Sequence, residues 1–91
     1  MTFKIETSEL EGFIVLSLSG RIEAGYLGEL IRVVELQDNT RDIVLDLQQI
    51  RLADRDSVKF LASCEAKGIK VENCPTYIRE WMEREKERRT D

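Results

Sequence analysis

Asp42-Ile43-Val44-Leu45-Asp46-Leu47 is the stretch whose reading decides the fold. Branched apolar residues fill its middle without alternation, which is the pattern of an interior strand covered on both faces or nearly so. It is therefore read as the centre of a sheet. A loop is expected over residues 48–53, after which Asp54 or Asp56 caps a helix whose buried side includes Val58, Phe60, Leu61 and Cys64, with Lys67-Gly68 as its stop signal.

On the N-terminal side of this centre, Phe3-Lys4-Ile5-Glu6-Thr7 alternates apolar and polar. Glu11-Gly12 then reads as a turn before a second strand over residues 13–19, so the chain opens on a hairpin. Gly20 is expected to end that strand. From Tyr26 the period changes: Leu27, Leu30, Ile31 and Val34 lie on one helical face, and the helix is expected to stop near Asp38-Asn39. On the C-terminal side, residues 69–72 form a short last strand. Pro75, near a first helical position, opens a final helix with Ile78, Trp81 and Met82 as its apolar stripe. Residues 83–91 are almost entirely charged with mixed signs, which predicts a helix that runs on into solvent to about residue 89 and frays.

The expected fold class is thus α/β: a four-stranded mixed sheet with helices mainly on one side. Ninety-one residues fit one domain, and 42% hydrophobic with 35% charged residues is the composition of a folded globular chain. No apolar run approaches a membrane span, and residues 1–6 lack the apolar core of a secretory signal, so a cytoplasmic protein with no direct membrane insertion is expected. The net charge of −4 and the lack of a basic stripe argue against nucleic acid as a partner.

Chemistry has little to work with. Histidine is absent, which removes the commonest general base and a favoured metal ligand, and two cysteines without a CxxC spacing make neither a redox motif nor a zinc site. No phosphate-binding loop is present. No enzyme activity, metal or cofactor is expected. Cys74, beside a helix start, is the one candidate nucleophile, and a small thiol enzyme using it stands as an alternative.

Leu18-Ser19-Gly20-Arg21-Ile22, Ile43-Val44-Leu45-Asp46-Leu47 and Asp54-Arg55-Asp56-Ser57-Val58, in this order of elements, resemble the STAS domain, the fold of bacterial anti-sigma factor antagonists. The resemblance covers roughly residues 3–72, and the terminal helix fits it. It implies a regulatory protein of signalling and transcription control that binds an anti-sigma factor kinase. An alternative within the family is a cytoplasmic STAS subunit of a lipid-trafficking ABC transporter, whose partner is an ATPase subunit. The implied partner-binding residues are Arg21, Glu23, Tyr26, Arg51, Asp54, Arg55, Asp56 and Ser57. Family members carry a phosphorylated serine or threonine directly after the aspartate of the third-strand loop. Here that position is Arg55, so the usual switch is missing, with Ser57 as an acceptor shifted by two positions. A small anion or nucleotide at this helix start is opposed by Asp54 and Asp56.

Overall fold

A computed structural model describes residues 3–37 and 42–89. The order of elements is β1 (Lys4–Leu10), β2 (Phe13–Ile22), α1 (Ala24–Glu35), β3 (Asp42–Ala53), α2 (Arg55–Ala66), β4 (Lys70–Glu72) and α3 (Thr76–Arg89). The end expected for α1, near Asp38-Asn39, lies outside the described residues.

Glu11 and Gly12 both take positive φ, 49° and 89°, which makes the two-residue hairpin loop whose twist matches that of its strands. β1 accordingly pairs antiparallel with β2 from Lys4↔Ser19 to Leu10↔Phe13. β3 lies parallel to β2 on its other side, and β4 parallel to β3, giving the strand order β1-β2-β3-β4. The sheet is the four-stranded mixed sheet that the strand pattern predicts.

Alternate residues of β2, namely Ile14, Leu16, Leu18 and Ile22, are buried and meet Leu45, Leu47, Ile50 and Ala53 of β3. The same core takes Leu30 from α1, Val58, Leu61, Ala62 and Cys64 from α2, and Ile78 and Met82 from α3. One face of the sheet thus carries the helices. The opposite face presents Phe13, Val15, Ser17 and Ser19 of β2, all partly exposed.

Two expectations fail at the same place, for one reason. β2 does not end at Gly20 but runs to Ile22, and residues 48–53 are not a loop but the second half of β3. The pairing of these strands shifts between Ser17 and Ser19 and again between Gly20 and Arg21, each time with an extra residue in β3. Gly20, on β2 beside the second shift, has φ 91°, a conformation that glycine adopts without strain. With two extra residues, the buried positions of β3 fall at Leu47, Ile50 and Ala53, three apart instead of two, and the strand period disappears from the sequence.

The helix ends follow their signals. The Asp54 carboxylate accepts from the Ser57 backbone N–H at 3.0 Å and caps α2. Gly68, at φ 97°, closes it: its N–H donates to the Glu65 carbonyl at 3.1 Å and that of Ile69 to Cys64 at 3.0 Å, a Schellman pair. Pro75 sits just before α3, its carbonyl accepting from Arg79 N–H at 3.0 Å.

Beyond Met82 the sequence predicts a helix that runs on into solvent to about residue 89, and one side chain departs from this expectation. α3 remains a helix to Arg89, and Glu85, one turn past Met82, is only 4% exposed. Ile78, Met82 and Glu85 form one stripe that α3 lays against α2, so the charged run is partly a packing surface.

Candidate functional site

The carbonyl of Ile22, last residue of β2, joins two loops. It accepts from the Asp54 N–H at 3.0 Å and from the Ser57 hydroxyl at 3.1 Å. These two hydrogen bonds to one acceptor fix the exit of β2 against the start of α2, at the carboxyl ends of two parallel strands. Ligands and partners engage open α/β sheets at such an edge.

Around it the structure gathers most of the residues that the sequence singles out. Arg21 and Glu23 flank Ile22, both about half exposed, with a loose ion pair of 3.9 Å between them. Arg51 and Leu52 end β3, and Leu52 pairs in register with Arg21. Asp54 caps α2. Arg55 and Asp56 follow on its exposed first turn.

Two of the expected residues do not present a side chain on this surface. Tyr26 turns back toward the start of the chain, its ring 6.0 Å from that of Phe3, and is half-buried. Ser57 is fully buried, its hydroxyl spent on Ile22. A kinase cannot reach a hydroxyl with no exposed surface, so the expectation of Ser57 as a shifted phosphoacceptor is corrected.

Three further residues belong to this edge. Leu52 is 46% exposed and Tyr77 is 44% exposed, two large apolar groups left open to solvent. The Tyr77 hydroxyl donates to the Arg51 carbonyl at 2.6 Å, which fixes the start of α3 to the end of β3. Burial raises the pKa of this phenol, as does the nearby Cys74, so it stays a donor. Glu85 lies 3.6 Å from the Arg55 guanidinium. Leu52 lies in the 51–58 stretch that the sequence marks as a docking surface, but its exposure is not legible there, and Glu85 is hidden within a charge run.

A second polar cluster holds α3 on α2. Arg79 meets Glu65 at 2.8 Å, Lys86 bonds the same carboxylate, and Glu83 lies 3.5 Å from Arg79 and 3.6 Å from Lys86. The hydrogen bond from Arg79 leads in holding the Glu65 carboxyl down to about 2, with Lys86 adding to it against the effect of burial. A carboxylate held below its ordinary range stabilises the fold fully above that range and loses the effect as pH falls toward its folded pKa. Acid unfolding is therefore expected to draw about 1 to 2 kcal/mol from Glu65 between roughly pH 5 and 2, less than the bare shift because the group is partly solvated. Chemical denaturation at several pH values, with Glu65→Gln as the comparison, checks this. The variant should be less stable at pH 7 and show a shallower loss in acid.

The thiols are poor nucleophiles. Burial pushes Cys64 up to about 11, and burial raises Cys74 as well, with Arg79 pulling it partly back. The reactive thiolate is disfavoured at both. Among the described residues no cluster of three or more histidine, cysteine or acidic side chains could hold a metal ion, and no helix is long and apolar enough to cross a membrane.

No protein-family model matches this chain, and no curated protein matches it. Eight chains of solved structures do. Among them is the crystal structure of a protein named Mglu, 25% identical, with a TM-score of 0.53 over 77% of this chain. This chain spans only 19% of the length of Mglu, so the likeness concerns a minor part of a larger protein. The shared arrangement is a small α/β fold, consistent with the STAS type.

Proposed function

We propose that this chain is a non-catalytic regulatory domain of the STAS type that binds a protein partner through the edge formed by the ends of β2 and β3 and the first turn of α2. The observation that carries the reading is the Ile22 carbonyl held by both Asp54 and Ser57, which makes two loops one rigid surface. A rigid edge loses little entropy on binding. Leu52 supplies an exposed apolar anchor, Arg21 pairs with it in register across the strands, and Arg51 and Arg55 are exposed nearby in the chain, side chains of a type favoured at binding hot spots. The raised thiols weigh against the enzyme alternative.

The partner in this reading is an anti-sigma factor kinase of the bacterial cytoplasm, and binding does not depend on phosphorylation of this chain. With Arg55 at the acceptor position and Ser57 buried, neither residue carries a reachable hydroxyl.

Calorimetric titration of purified anti-sigma factor kinases with the wild-type chain and with Leu52→Asp tests this. Leu52 is half exposed, so the substitution should leave the fold intact while weakening binding by about 30-fold or more, the effect of removing a hot-spot anchor. If no kinase binds, or binding survives the substitution, the reading is overturned.

A further inference from the structure

We propose that β1 is the docking strand for a second copy of this chain, joined edge to edge about a two-fold axis into one eight-stranded sheet. β1 is a sheet edge seven residues long, paired to β2 in unbroken register, with no proline and no bulge. Edges of this length are normally shortened, bent, covered or guarded by charge, because their free backbone groups invite another strand; β1 has only the charges, which restrict the strand it can admit. The opposite edge, β4, has only three residues.

The side chains favour a copy of the same strand and set its register. A two-fold axis normal to the sheet places residues of like parity opposite one another, antiparallel. With the axis at Glu6, two like charges face each other. With the axis at Thr7, Lys4 faces Leu10 and Ile5 faces Glu9. With the axis at Ile5, Lys4 faces Glu6 of the second copy, Glu6 faces its Lys4, and the two Ile5 side chains meet. Opposite charges across a strand pair stabilise it and like charges oppose it, so the Ile5 register, which pairs residues 3–7 of each copy, is selected over the longer overlap of the Thr7 register, which sets Lys4 and Glu9 against apolar side chains.

Lys4 and Glu6 project on one face of β1, 3.5 Å apart and each about two-thirds exposed, free to reach across the edge. The helix side of β1 fits the same register. Ile5 is half-buried there opposite Leu18, whereas Thr7 and Glu9 are exposed, left uncovered by the helices. The axis at Ile5 sets Phe3, which packs with Tyr26, against the uncovered Thr7 of the other copy. The covered end of each strand then shields the open end of its mate.

Sedimentation of the full chain from about 5 to about 500 µM tests the proposal by mass action, with far-UV circular dichroism as the fold check. Wild type should shift from monomer to dimer within this range. Lys4→Glu and Glu6→Lys should each weaken the dimer about tenfold, because the symmetry applies each reversal twice. Mixing the two single variants should restore the affinity as a heterodimer, which separates the contact across the axis from the Lys4–Glu6 pair within one chain. A chain that stays monomeric throughout, a dimer indifferent to both reversals, or a mixture that fails to recover overturns the inference. Each result is independent of the kinase titration.

Discussion

Ser57→Asp is expected to destabilise the fold by about 3 kcal/mol or more, the range for placing an unpaired charge in a closed site. The hydroxyl has no exposed surface and donates to the Ile22 carbonyl at 3.1 Å. An aspartate there replaces the donor with an acceptor, adds volume, and sets a carboxylate against a carbonyl oxygen. The dipole at the start of α2 favours a negative charge by about 2 kcal/mol at most in a buried setting, which does not offset the loss. Asp54 already answers the N–H of residue 57.

Ser57→Ala separates hydrogen bonding from charge. Ile22 keeps its bond from the Asp54 N–H, so its carbonyl is not orphaned, and the expected loss is only about 1 kcal/mol. Urea unfolding of both variants gives the comparison. Equal stability of wild type and Ser57→Asp would mean that the first turn of α2 opens readily, and it would return Ser57 to the surface as a candidate acceptor.

Ser57 shows where the sequence could be read and where it could not. Its place in the first turn of a capped helix was legible, because Asp54 three residues earlier is a strong cap signal that acts over a few bonds. Its burial was not, since that depends on Ile22, 35 residues away. The same division runs through the fold. The hairpin at Glu11-Gly12, the helix stop at Gly68 and the central strand all announce themselves locally. The second half of β3 does not, because its irregular pairing with β2 removes the period that identifies strands. At the candidate site, Arg21, Glu23, Arg51, Asp54, Arg55 and Asp56 came from resemblance, and the structure places them at one edge. Leu52 and Tyr77 needed coordinates, since an apolar residue in sequence gives no sign that it stays exposed.

Met82→Ala is expected to cost about 3 kcal/mol, within the range for deleting a buried methionine side chain, and to loosen α3 more than the sheet. Met82 is fully buried between α3 and the core, and with Ile78 it supplies the fully buried apolar contact of a helix that is otherwise mostly charged. An isolated helix of this length is marginal in water, so α3 depends on docking for its order. The ion cluster on Glu65 cannot take over. Its members are partly solvated, and such pairs contribute little once salt screens them. Loss of Met82 should therefore leave α3 held chiefly by charge, and its amide protection should fall in high salt while that of β2 and β3 persists. Hydrogen exchange of Met82→Ala with and without about 1 M NaCl measures this. If α3 and the sheet lose protection together, the helix is an inseparable part of one cooperative core. If α3 alone opens, the Tyr77 bond to Arg51 and the Glu85 contact with Arg55 open with it, and the proposed docking edge is changed by a helix that touches it through these two contacts.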